Sequence, residues 1–208
     1  MEVDGTTWRT ARAVTRPADI GPFGIYSLST QTGTMAAGIV ANSEVFQFRW
    51  TEATRVAAIW EIFIANAGSI VAFAAGITRF SVWYGRSWSA NGTGGSQATM
   101  TLNVNKHRTA YGTLLPFDIR TATTAALGAG TKTLDAIAFG QAVSSVPATS
   151  AGSPLLPYGT ILFAAQTSTG SGPIVLTRNE GFTIRAQVPI TGTWTAGFGV
   201  RWSEMTTY

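Results

Sequence analysis

Side chains able to do acid–base or nucleophilic chemistry are few in this sequence. There is one histidine, His107, and no cysteine. A Ser–His–Asp arrangement would have to use His107, which sits in Asn105-Lys106-His107-Arg108. The flanking cations disfavour the imidazolium that such a mechanism forms. No G-x-S-x-G elbow is present to supply a serine. His107 therefore reads as a loop or interface residue. One imidazole and no thiolate also exclude the common zinc sites and iron–sulfur clusters. They leave the redox compartment open.

The carboxylates are Glu44, Glu52, Glu61, Asp118, Asp135, Glu180 and Glu204, plus three near the N-terminus. A glycosidase needs two carboxyls facing each other at about 5–10 Å. Glu44 and Glu52 are close enough in sequence to meet across a hairpin. Ion pairing with Arg49 or Arg55 is the expected role instead. No calcium-loop spacing occurs. Gly92-Thr93-Gly94-Gly95 has no following lysine. Gly128-Ala129-Gly130-Thr131-Lys132-Thr133 lacks the Walker spacing. Both read as loops. The reading is of a non-enzyme with no catalytic residue, no cofactor and no metal.

Charge points the same way. Charged residues make up 12% of the chain, against about 25% in an ordinary domain. The net charge is +4, from 12 Arg and 2 Lys against 10 acids. Arg79, Arg86, Lys106, Arg108 and Arg120, against Asp118 alone, carry that excess within residues 79–120. The excess is mild and not one basic face, so no specific nucleic-acid partner is expected. Arginine in place of lysine suits ion pairs and interfaces. So sparse a charge implies that much of the surface rests against something else.

The elements that must position these residues read as strands. Thr (31) and Ala (30) are the commonest residues, and there are 23 Gly, 11 Phe and 7 Trp. Such a composition suits strands and turns. Residues 1–22 mix charge and small polar residues, end between Pro17 and Pro22, and read as an extended N-terminal arm. They lack the apolar run of a signal peptide. Residues 23–208 read as one domain. Phe46, Phe48 and Trp50 share one strand face. The stretch Val56–Ile77 is the most apolar, but Asn66-Ala67-Gly68-Ser69 divides it into strand-length pieces. Two strands joined there by a turn are expected, not a membrane helix. Long loops are expected near 85–97, 105–133 and 144–159. Phe182, Ile184, Ala186 and Val188, then Trp194, Ala196, Phe198, Val200 and Trp202, alternate on either side of Pro189–Gly192. They predict a β-hairpin. About eight strands with long loops predict an all-β fold: an antiparallel β-sandwich, jelly-roll-like.

An ordered series of segments carries a family resemblance. It runs through Arg86-Ser87-Trp88-Ser89-Ala90, Asn105-Lys106-His107-Arg108-Thr109 and Asp118–Leu127. It continues through Gly130–Asp135, Asn179–Arg185, Gly192-Thr193-Trp194 and Trp202-Ser203-Glu204. Over roughly 55–204 the chain resembles a group of tailed-bacteriophage virion structural proteins, and with them capsid decoration (cement) proteins. The resemblance implies a β-sandwich homo-oligomer, a trimer by analogy. It would bind the major capsid protein or other virion proteins on the outer surface of the head and bridge shell subunits. The candidate contacts are then Trp8, Arg9, Arg12 and Arg16 in the arm, with Arg86, Trp88, His107 and Arg108 in loops. The alternative is a tail, fibre or spike component that binds a host surface through Trp83, Tyr84 and Trp88.

Overall fold

The computed structural model describes residues 23–90, 92–107, 118–148, 150–166 and 172–206. The fold is all-β, in two antiparallel seven-stranded sheets. The first sheet is built on β1 (Gly24–Gln31), β4 (Val56–Val71) and β14 (Thr193–Met205). Edge strands β7 (Val104–Lys106), β11 (Thr160–Ala164) and β12 (Ile174–Leu176) and the short β2 (Met35–Ala36) complete it. The second sheet is built on β3 (Ser43–Trp50), β5 (Gly76–Ala90) and β13 (Glu180–Gln187). Around them lie β6 (Ser96–Gln97), β8 (Asp118–Thr121), β9 (Thr131–Leu134) and β10 (Gly140–Val146). One helical turn, α1 (Met100–Asn103), precedes β7.

The pairing is nested: β1 with β14, β3 with β13, β4 with β11 and β12, and β5 with β10. Pairs from the two ends of the chain fold inward onto each other and alternate between sheets. This is the jelly roll expected from the sequence. The edge strand opposite β4 comes in two pieces, β11 and β12.

The core follows from alternation. Phe46, Phe48 and Trp50 on β3, and Phe182, Ile184 and Ala186 on β13, are buried. They face Phe198, Val200 and Trp202 of β14. The rings meet in favourable offset and edge-on geometries: Phe48–Phe182 stacked at 5.1 Å and Phe48–Trp202 T-shaped at 5.7 Å.

Three local expectations are corrected. The Phe182–Trp202 segment is not a hairpin, because β13 and β14 lie in different sheets. Both strands share one apolar parity since both face the same core from opposite sides. Asn66–Ser69 is not a turn. It lies inside β4, opposite Gly197 and Thr195 of β14, and the chain turns at 72–75. β-Bulges explain both the turn-like composition and the broken alternation of β4. Register shifts against β14 leave Trp60, Ala65 and Ile70 unpaired in the ladder. Each extra residue flips which face looks inward. Ala57 and Ile59 therefore share the core face with Ile62 and Ile64, and then with Ala67. Finally, each predicted loop contains strand. β5 runs to Ala90 and β6 lies within the first, β7, β8 and β9 overlap the second, and β10 reaches Val146 in the third.

Candidate functional site

The outer face of the second sheet gathers most of the chemistry singled out in the sequence. Gly85 of β5 and Gly181 of β13 are ladder partners. With no side chain on either, the sheet has a flat seat there, and the Trp88 indole lies on it. A Cβ at Gly181 would run into the Phe48 carbonyl oxygen and into the Trp88 ring. Trp88 is fully buried, and its Nε1 donates to the Ala90 carbonyl at 3.1 Å. The Lys132 ammonium covers its other side, 4.6 Å from the ring centre.

Lys132 also closes a buried polar network. Its Nζ is 2.8 Å from Glu44 Oε2, with side-chain exposures of 3% and 5%. It donates as well to the Ala129 carbonyl. Gln47 donates to Glu44 Oε2 at 2.6 Å and to the Gly128 carbonyl at 2.8 Å, and accepts from the Gly92 amide at 3.1 Å. Arg185 approaches the other Glu44 oxygen at 3.7 Å. Burial pulls the Lys132 ammonium below its ordinary value, and the bond to Glu44 opposes that shift. The network ties both glycine-rich segments to the sheet. The Gly92 amide and the Gly128 and Ala129 carbonyls are spent on Gln47 and Lys132.

Nearby, Arg86 grips Asp135 through two bonds of 3.0 and 3.2 Å and reaches Glu180 at 3.5 Å. Its guanidinium lies 4.3 Å from the Tyr84 ring centre. Burial, and then Glu180 beside it, push the Tyr84 phenol well up. This is where two described carboxylates share one partner, and the arginine between them pairs with both.

The remaining described acids are also engaged. Arg49 pairs with Asp118 at 3.1 Å, Arg55 with the buried Glu204 at 3.3 Å, and Arg201 with Glu61. Glu52 accepts from the Thr54 amide and hydroxyl at 2.9 and 2.8 Å, which lowers its carboxyl. The sequence expectation that Glu44 pairs with Arg49 or Arg55 is thus corrected: each of those arginines has another acid across a strand ladder. Those partners are distant in sequence, so spacing carried no signal for them. No group of three or more metal-ligating side chains forms among the described residues. No helix of the described residues is long and apolar enough to cross a membrane.

No family model matches the chain, and no curated protein or solved structure was found to be similar.

The predicted contact residues scatter. Trp8, Arg9, Arg12 and Arg16, and Arg108, lie outside the described residues. Arg86 is exposed but held by its two acids. Trp88 is corrected from contact residue to packing residue, since an indole buried inside the chain presents nothing to a partner. His107 is exposed after β7, with Nε2 2.7 Å from Ser27 Oγ. Trp83, Tyr84 and Trp88, expected on the alternative reading to meet a host surface, do not form an open aromatic platform. Trp83 and Tyr84 are half-buried and capped by Arg185 and Arg86.

The unpaired charge is the feature that sequence reading missed. Among the described residues, Arg79, Lys106, Arg120 and Arg178 have no carboxylate partner, whereas every acid except Glu52 has a cation. Lys106 and His107 stand at the β7 edge of the first sheet, and Arg120 on β8 near the edge of the second, where it donates to the Gly94 carbonyl.

Proposed function

We propose that this chain is a virion structural protein: a capsid decoration protein that binds the outer shell of a tailed-phage head and bridges its subunits. The observation that carries the reading is how charge is used. Acids are consumed inside the fold, and the cations left over project from a jelly roll with no assembled catalytic constellation among the described residues. Such a molecule offers rigid contact surface, not chemistry. The fold is one that recurs in viral capsid domains, a likeness of architecture only. The resemblance of the 86–90, 105–109, 118–135 and C-terminal segments supplies the phage context.

Stabilisation then comes from multivalence. A bound oligomer that touches several shell subunits makes the loss of any one contact reversible. The test is sedimentation of the purified chain with heads that lack it, across a salt series. Binding is expected, weakening as salt screens the β6–β8 cations. Heads that sediment alone at every salt concentration would overturn the proposal. Removing residues 1–22 is expected to weaken binding; an unchanged affinity would sink the role of the arm.

A further inference from the structure

The 42 residues between Asp135 and Arg178 contain no charged side chain and no histidine. They form β10, β11 and β12, which lie on one flank of the sandwich, opposite β6, β7 and β8; β9, with Lys132, continues the β10 edge along β5. Phe139 beside β10 meets Phe163 of β11 edge-on at 5.8 Å, so the two sheets close against each other there. In a chain with 12% charge, three neighbouring strands and their connections without any are a patterned feature. Large apolar side chains stand out of it: Ile137 is 78% exposed, Tyr158 77%, and Val143 and Ile161 55% each.

Among the described residues the edge of this flank is unguarded. β10 pairs on one side only, with β5, over seven residues. Among the described residues no other backbone hydrogen bond engages Gln141–Val146. Soluble proteins blunt such an edge with lysine, internal proline or a bulge. Gly140-Gln-Ala-Val-Ser-Ser-Val146 has none of these, and its register against β5 is unbroken. The other edges differ. β11 carries a bulge at Ile161–Phe163, β7 has three residues and ends in Lys106, and β6 has two residues. A hollow of about 260 Å3 between Ser144 and the 154–158 segment leaves space beside the strand.

We infer that this edge is a self-association face, on which a second copy of the chain adds its own β10 antiparallel about a two-fold axis at Val143. Charge selects the occupant. Two copies of a +4 chain repel where unpaired cations face each other, and the strand that would pair here carries none; the nearest, Arg79, lies one strand back as the β5 partner of Val143 and donates to Asn42 Oδ1. The strand is also its own complement. A two-fold at Val143 sets Val143 against Val143, Ala142 against Ser144 and Gln141 against Ser145. The outward row then pairs apolar with apolar and polar with polar. The continuous eight-residue β1–β14 ladder shows how such strands pair within the chain. A two-fold contact builds a dimer, not the trimer that the resemblance implies. The inference stands on the flank itself and does not need the head-binding proposal.

The test is the mass of the full chain in solution by light scattering and sedimentation, through a dilution series. The expected result is a species of about twice the 21.9 kDa chain mass. Val143→Lys places two ammonium groups face to face and is expected to weaken self-association about 100-fold. Val143 is exposed and on an outward position, so the variant should keep its circular dichroism and melting temperature. Val143→Thr, uncharged and of the same shape, should stay dimeric. A monomer at all concentrations, a three-copy mass, or a Val143→Lys dimer of unchanged strength would each overturn the inference. So would loss of the dimer on deleting residues 1–22 alone, since the arm would then be the occupant. Dimerisation without head binding would count against the decoration role only, and head binding by a monomer against this face only.

Discussion

Glu44 and Lys132 show how this chain handles its scarce charge. A carboxylate and an ammonium are taken out of water together; Gln47 donates to the same oxygen as Lys132, and Arg185 lies 3.7 Å from the other. Such a pair adds little net stability over an apolar one, but breaking it is costly. Lys132→Met should therefore cost about 3 kcal/mol in urea unfolding, at the lower end of the usual range because Arg185 stays 3.7 Å away. A loss under about 0.5 kcal/mol would show that Glu44 does not depend on Lys132. Tyr84 gives a pH signature. Its folded-state phenol titrates above the ordinary 10.0, chiefly through burial. Above pH 10 the unfolded chain gives up a proton that the folded chain retains. The Tyr84 contribution is thus full below that pH and falls as pH rises further. Tyr84→Phe should flatten the alkaline fall in stability relative to the natural chain, and parallel curves would refute the assignment. At neutral pH it should cost about 1 kcal/mol, for the lost bond to the Val175 carbonyl. None of these pairings is visible at the residue scale of the sequence. Glu44 and Lys132 are 88 positions apart, and the seat for Trp88 exists only because two glycines from different strands become neighbours.

At the scale of elements, glycine and aromatic residues work as pairs across strands. Gly199 on β14 is the ladder partner of Phe63 on β4, and the Phe63 ring occupies the space where a side chain at 199 would stand. Arg201 covers that ring at 5.5 Å and pairs with Glu61. Gly199→Val should push the ring off the sheet and lower stability by about 1–3 kcal/mol, read as a drop in melting temperature. An unchanged melting temperature would mean that Phe63 can repack freely. Strand identity was legible wherever alternation ran without interruption. Phe46–Trp50, Phe182–Val188 and Trp194–Trp202 point inward as their spacing predicts. Legibility failed at the bulges of β4, because period-two reading assumes that no residue is skipped. It failed again at β10, whose Ser- and Ala-rich strand resembles loop composition. Sheet membership was not legible at all. A strand that turns back into its own sheet and one that crosses to the opposite sheet have the same alternation, and only long-range pairing separates them.

At the scale of the molecule, the last strand is a central one. β14 lies between β1 and β4, so the first sheet is completed by the C-terminal segment of the chain. A fold so dominated by non-local pairing is expected to form slowly, on about the millisecond-to-second scale. The finished sandwich has two unlike edges: β7 and β8 carry the unpaired Lys106 and Arg120, whereas β10–β12 carry no charge of their own, with Arg79 one strand in from β10 and Arg178 just past β12. That asymmetry gives the sparse charge of the sequence a physical meaning, with one flank suited to a sister chain and the other to an acidic or polar partner. The proposed role as a head decoration protein is tested most directly by a density map of the intact virion. The account predicts jelly-roll density at repeated positions on the outer surface of the head, with the β6–β8 flank toward the shell. Density in the tail or fibres, or a virion without this chain, would contradict it.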